Sequence, residues 1–200
     1  MSNQPRWDSW NEAGGPRYPH AKAIQFCLRH FSRDIRHITR ALDLGCGSGV
    51  NTRLLAETGF PVWATDISPV GIANTRRLLQ AHGLQAECHV APVDQQPFLD
   101  GSFDLILCIG VFDSAGLQAA HGAMAEVRRL LRPLGRALLV FASDEDMRVG
   151  NGTPYGLTGY KKNEVDALVE GFTQASIDRY ITTYDGGTFQ HNDFLVTLIR

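Results

Sequence analysis

The stretch Ala41-Leu42-Asp43-Leu44-Gly45-Cys46-Gly47-Ser48-Gly49 restricts the fold more than any other part of the chain. A short apolar run, read as a strand, stops at three glycines in alternate positions. A helical pattern follows from Asn51 to Thr58, carrying Leu54 and Leu55, with Gly59 where a C-terminal cap belongs. Glycines in a strand-to-helix turn permit positive φ and let the backbone approach a ligand closely. Backbone N–H groups at the helix start can then meet a polar or anionic group. On its own such a turn is only moderately specific, since a plain tight turn has the same composition.

The chain repeats this alternation. Val62 to Asp66, Glu87 to Ala91, Phe103 to Ile109 and Arg136 to Ala142 are further apolar runs, continuous in the way of parallel strands buried on both faces. Ser68-Pro69 supplies an N-cap and a proline at the first helical position, opening a helix toward His82 and Gly83. Leu117, Ala120, Met124, Val127 and Leu131 recur at three- and four-residue steps, an amphipathic helix closed by Pro133 and Gly135. Strand and helix in this order predict a parallel sheet with right-handed crossovers.

The last quarter differs. Lys161 to Phe172 reads as one more helix, with Val165, Leu168 and Val169 on its apolar face. Two β-rich runs follow, Ile177 to Tyr184 and Phe194 to Ile199, joined through Asp185-Gly186-Gly187. Asp-Gly and Gly-Gly steps favour hairpins, so an antiparallel pair is expected at the end of the sheet.

Asp66 ends the second strand, 21 residues after Gly45, where a carboxylate can accept both hydroxyls of an adenosine ribose. The glycine spacing is GxGxG; the dinucleotide fingerprint places its third glycine one step later. Taken together, Leu42 to Gly49, Asp66-Ile67-Ser68, Asp100-Gly101-Ser102-Phe103-Asp104 and Leu130-Leu131-Arg132-Pro133-Leu134-Gly135 resemble the ordered motif series of class I S-adenosylmethionine-dependent methyltransferases of the small-molecule type. The resemblance runs from about Arg40 to Ala142, and the terminal hairpin is similar to that family's reversed last strand.

The resemblance implies an α/β fold: a doubly wound, Rossmann-like seven-stranded sheet of order 3-2-1-4-5-7-6 with strand 7 antiparallel. It implies S-adenosyl-L-methionine as cofactor, with Asp43 and Gly45 toward its methionine end, Gly47 and Gly49 beneath the adenosine, and Cys46 of the same loop among the cofactor-binding residues. Asp66 would hold the ribose, Ile67 would pack on the adenine, Val93 and Asp94 would contact its edge, and Cys108 and Ile109 would face the methionine. One departure is Pro92, where many relatives have Asp; Asp94, two places on, is the candidate replacement.

Such a cofactor arrives with its methyl group activated, so the protein must chiefly align a nucleophile and exclude water. No metal is expected, and a general base is needed only if the acceptor must lose a proton. Acceptor-side candidates lie outside the common core. They are Trp10, Tyr18 and His20 near a lid-like N-terminus, Asp113 at the rim after strand four, and Tyr155 and Tyr160 in the loop from Ser143 to Lys162. His20 reads more readily as a helix-start residue than as a base, and His191 and Asp193 more readily as surface groups than as a metal or catalytic pair.

Exclusions narrow the acceptor. Ile109-Gly110-Val111-Phe112 lacks the Asn-Pro-Pro-Tyr or Asp-Pro-Pro-Tyr of amino-methylating nucleic-acid enzymes, and no Pro-Cys pair serves cytosine attack. With 19 Lys and Arg against 21 Asp and Glu, no basic excess suits a polyanion. A small-molecule acceptor is expected, without nucleic acid or membrane partners. No apolar stretch reaches the roughly 18 residues of a membrane span. The four cysteines form no CxxC pair and the N-terminus shows no signal-peptide core, so a cytoplasmic setting is expected. One domain over 1–200 is expected, as monomer or homodimer: a lid region over 1–39, a cofactor core over 40–142, and a loop, helix and hairpin over 143–200. Two other readings of the same chain are a non-catalytic member of the fold and a nicotinamide-dependent oxidoreductase.

Overall fold

The computed structural model describes residues 4–150 and 156–200. Its centre is β1 (Ala41–Leu44), buried at every residue and paired in parallel with β2 (Val62–Asp66) on one side and β4 (Phe103–Cys108) on the other. The outer parallel strands are β3 (Glu87–Val90) and β5 (Leu131–Ala142). β7 (Phe189–Ile199) runs antiparallel to β5, and β6 (Gln174–Tyr184) pairs antiparallel with β7 at the edge. The order is therefore 3-2-1-4-5-7-6 with strand 7 reversed, as the family resemblance implies.

β4 shows why the strand sequences are continuous rather than alternating. Ile106 and Cys108 face one core while Leu105 and Leu107 face another, so successive residues are all buried. The first core lies under α6 (Phe112–Leu130) and α7 (Lys162–Leu168). The second lies under α2 (Ala21–His30) and α4 (Val50–Glu57). A smaller third cluster packs α5 (Pro69–Ala81) on β2 and β3. Phe141 stacks on Phe112 with centroids 4.2 Å apart and meets Tyr160 edge-on at 5.3 Å, anchoring the start of α6 to β5.

Several boundaries differ from the expected ones. β5 begins at Leu131, pairing with Phe103, and is interrupted before Leu105 pairs with Arg136. The segment Arg132 to Gly135 is thus an irregularity within the strand, with Leu134 at φ 63°, where composition alone suggests only a helix stop. α6 starts at Phe112 and breaks at Gly116 (φ 80°), before its amphipathic stretch. α7 ends at Leu168, short of the expected Phe172. Both hairpin strands are longer than expected and close through a short 3-10 turn, Asp185–Gly187.

Two elements precede the sheet without an apolar period to announce them. α1 (Gln4–Glu12) is largely polar, and the one-turn α3 (Arg33–Arg36) leads into β1. Among the described residues no helix is long and apolar enough to cross a membrane.

Candidate functional site

Going outward from β1, the sheet order reverses between β1 and β4, and in open α/β sheets ligands sit in the crevice beyond the strand ends at that point. A cavity of about 560 Å³ occupies this place, bounded by Gly45 to Ser48 after β1, Asp66-Ile67 after β2, Ala91 to Asp94 after β3 and Ile109 to Val111 after β4. Its volume lies within the usual range for a small-molecule site.

The glycine loop is built differently from a phosphate cradle. Gly45 and Cys46 both donate their N–H to the Thr65 carbonyl, at 2.8 and 2.9 Å, and Gly49 donates to Cys46 O. Gly47 donates to Asp66 Oδ2 at 2.8 Å. Four of the loop's N–H groups are therefore spent inside the protein. Gly45 and Gly47 have φ of 80° and 50°, conformations that favour glycine. A Cβ at Gly45 would overlap Val111, so glycine there brings the β1 loop against the start of α6.

Asp66 supplies a fixed carboxylate to this wall. Its Oδ1 accepts from Ser68 N–H and its Oδ2 from Gly47 N–H, both at 2.8 Å, which fixes the side chain while leaving lone pairs on each oxygen. Burial pushes its pKa up, against the two N–H donors that pull it down. A carboxylate held this way suits a pair of ribose hydroxyls, which return the hydrogen bonds that burial removes.

Asp43 lies behind the loop, outside the cavity wall. Its Oδ2 accepts from Thr52 Oγ1 at 2.6 Å, and burial raises its pKa to about 7. An acid whose folded pKa is raised stabilises the fold fully below its ordinary pKa of 3.8, and that contribution is lost as pH rises through about 7. In thermal melts between those limits, Asp43→Asn, which keeps an acceptor for Thr52, is expected to flatten part of the decline in melting temperature. An unchanged slope would mean that Asp43 does not titrate in this range.

The other site residues named from sequence divide. Ile67, Val93, Asp94 and Ile109 line the cavity, as does the backbone of Cys46, whose thiol turns to Thr75 Oγ1 at 3.4 Å. Cys108 is fully buried in the core and is not part of the wall. Gly49 is also set back: its nearest neighbour is the α5 backbone at Thr75, so it serves helix packing.

Asp113 is a correction: instead of standing at a rim it is 5% exposed, because Phe112 beside it is pinned in the core. Burial lifts its pKa to about 6, and Arg148, which bridges Asp146 and Asp193 at 2.7 and 2.5 Å, is the cation nearby. Tyr160 is likewise structural, fully buried with its hydroxyl donating to Phe112 O at 2.8 Å. Tyr155 lies outside the described residues. His191 meets Tyr184 edge-on and Asp193 pairs with Arg148. Among the described residues no cluster of His, Cys, Asp or Glu is arranged for a metal.

The N-terminal cover exceeds what sequence reasoning found. α1 crosses the cavity mouth and is tied at two points: Ser68 Oγ donates to Asp8 Oδ1 at 2.5 Å and Asn74 Nδ2 to Asn11 O at 2.8 Å, while Ser48 Oγ donates to Pro16 O at 2.9 Å in the segment that follows the helix. Trp7 and Trp10, edge-to-face at 6.0 Å, and Asn11 line the cavity from above. Arg6 Nη2 donates to Gly156 O, linking the cover to the loop after β5. The Trp-rich composition was the available signal for Trp7; the buried Asn11, whose role is to receive α5, left none. Tyr18 is 80% exposed at the mouth, and His20 lines the wall at the start of α2.

Comparisons with known proteins agree with this geometry. Residues 42–139 match the family model described as a methyltransferase domain. The chain is 30% identical over 140 residues to a glycine/sarcosine/dimethylglycine N-methyltransferase of Actinopolyspora halophila, covering 68% of this chain and 22% of that protein. It is 28% identical over 135 residues to a ubiquinone biosynthesis O-methyltransferase of Xanthomonas euvesicatoria, covering 65% and 54%. The chain thus spans about half, or less, of the length of these curated relatives.

In fold it is similar to magnesium protoporphyrin IX methyltransferase of Synechocystis, solved with bound S-adenosylhomocysteine. The TM-score is 0.71 at 18% identity, over 99% of this chain and 95% of that one. With its motif series, its matched domain and its reversed seventh strand, the chain belongs to the class I S-adenosylmethionine-dependent methyltransferases.

Proposed function

We propose that the protein transfers a methyl group from S-adenosylmethionine to a small, uncharged acceptor. The observation that carries this reading is the make-up of the cavity. It has a fixed ribose-type carboxylate at Asp66, an aromatic cover at Trp7 and Trp10, and no Lys or Arg among the described residues that line it. A pyrophosphate finds neither free loop N–H groups at Gly45 to Gly47 nor a cation, which argues against a dinucleotide. The same lack disfavours carboxylate and phosphate acceptors.

The residues present fit the cofactor. Asp66 would take the ribose hydroxyls, Ile67 would cover one face of the adenine, and Val93 and Asp94 would meet its edge. Gly45, Cys46, Gly47 and Ile109 would border the methionine part, with Asp43, Gly49 and Cys108 supporting them from behind. Bound there, S-adenosylmethionine supplies a methyl group already activated on sulfonium. The chain's task is then to hold two reactants in line and keep water out, which good orientation alone can make worth about 7–11 kcal/mol of the barrier. α1 provides the exclusion, since its ties to Ser68 and Asn74, together with the Ser48–Pro16 bond just after it, draw it over the cavity. The four cysteines are free and buried, which fits a reducing, cytoplasmic setting.

Calorimetric titration with S-adenosylhomocysteine, with NADH in parallel, tests the reading. Micromolar binding of the first and none of the second is expected. A screen for S-adenosylhomocysteine release with neutral phenols, thiols and amines should then yield turnover, and carboxylates and phosphates should not. NADH binding, or cofactor binding without turnover on any acceptor, would overturn it.

A further inference from the structure

The histidine at the start of α2 has a more definite role than sequence allows. Its ring lines the cavity, and its Nδ1 accepts from the backbone N–H of Lys22 at 3.2 Å, so that the side chain is the N-cap of the helix. Its own backbone N–H donates to Asn51 Oδ1 at 3.2 Å, and its ring meets Tyr180 of β6 edge-on at 5.6 Å. Helix, neighbouring helix and sheet edge therefore all hold it in one orientation.

An imidazole nitrogen that accepts a hydrogen bond carries no proton, so a neutral His20 bears its hydrogen on Nε2. That nitrogen has no hydrogen-bond partner among the described residues. We propose that His20 is the acceptor-side hydrogen-bond donor of the cavity, its Nε2–H steadying a lone pair of the uncharged acceptor, and that it is not a general base. The proposal rests on the methyltransferase reading for the nature of the ligand, but not for the state of the ring.

The charged and titratable groups around the ring act in the same direction. Burial lowers its pKa, and so do Lys22 on α2 and Arg148 from the segment after β5. Lys22 Nζ also lies 4.9 Å from the Tyr180 ring centre, which keeps that cation beside His20. Protonation would in addition place a hydrogen on Nδ1 against the Lys22 N–H and undo the cap. With Nδ1 engaged and Nε2 already protonated, the neutral ring has no free lone pair with which to take a proton from the acceptor. It can only donate.

The test uses the whole chain loaded with S-adenosylhomocysteine, and phenol as the probe, a small neutral aromatic hydroxyl suited to the Trp10 and Tyr18 side of the cavity. Nitrogen-15 histidine spectra, assigned with His20→Asn, should show Nε2 protonated and Nδ1 bare at neutral pH, and a titration below the ordinary imidazole value. The Nε2-bound proton should move when phenol is added. Asparagine also caps helices, so His20→Asn should melt with the parent and bind S-adenosylhomocysteine equally well. It should bind phenol about 2- to 12-fold more weakly, the loss of one neutral hydrogen bond.

A proton on Nδ1, a titration at or above the ordinary value, or phenol affinity untouched by His20→Asn overturns the proposal. So does a turnover defect of about 10²–10⁴-fold in kcat with unchanged KM, the signature of a lost base. Failure of S-adenosylhomocysteine to bind would instead defeat the methyltransferase reading. The tautomer and titration of the unloaded protein would still decide the state of His20.

Discussion

Asp66→Ala should weaken S-adenosylhomocysteine binding by about 10- to 150-fold, because a hydrogen bond to an ionised group contributes roughly 1.5–3 kcal/mol. The carboxylate also receives the N–H groups of Gly47 and Ser68, so alanine leaves two inward donors without partners. Each orphaned donor costs about 1–3 kcal/mol if no water replaces the oxygen. A fall in melting temperature should therefore accompany the loss of affinity. Asp66→Asn separates the two effects: its one carbonyl oxygen can keep one N–H, while its amide donates where the ribose hydroxyls must donate. Calorimetry alongside thermal melts reads both quantities. Parent-like affinity in a folded Asp66→Ala protein would remove the ribose role from this residue.

Gly49→Ala is expected to be strongly damaging, and the damage should fall on stability. Gly49 has φ 83°, where an L-residue pays about 1–2 kcal/mol. A Cβ would also stand 2.8 Å from Thr75 Cα, a backbone atom of α5 that cannot move without shifting the helix. Overpacking of this kind costs about 1–3 kcal/mol more, giving roughly 2–5 kcal/mol in all. Gly59→Ala is the control: φ is 96°, and nothing lies within 4 Å of its Cβ position, so only the backbone penalty applies. Chemical denaturation of the pair should show Gly49→Ala as clearly the weaker protein. Equal losses would mean that the α4–α5 contact tolerates a methyl group and that the glycine is needed only for its φ.

How much was legible depended on whether the signal was local. The parallel core could be read because its central strands β1 and β4 are short, largely apolar runs buried at every residue, and burial on both faces requires that pattern; the edge strand β3, Glu-Cys-His-Val and mostly not buried, departs from the continuous apolar run expected of it. The hairpin could be read because Asp185 and Gly187 bracket a turn with three consecutive positive φ values, which few residue types accept. The bulged start of β5 could not, since Pro133 and Gly135 are helix stops by composition and the pairing of Leu131 with Phe103 depends on a distant strand. α1 was missed as a helix for a related reason: its partners are α5 and the glycine loop, more than thirty residues further along the chain, and its own face has no apolar period.

For the candidate site, the sequence by itself determined the class of chemistry. Gly45, Gly47 and Gly49 after an apolar strand, followed by Asp66 after the next, specify a backbone path and a carboxylate whose positions in the sheet follow from chain order. The tertiary structure alone decided which of these residues face the cavity. It placed Gly45 and Gly47 in the wall and Gly49 against α5, it sank Asp113 and Tyr160 into the core beside Phe112 and Phe141, and it committed Nδ1 of His20 to a helix cap. Whether a side chain meets ligand or core is set by contacts between elements far apart in the chain. Spacing along a single segment encodes which face a residue occupies, and says nothing of what will cover that face.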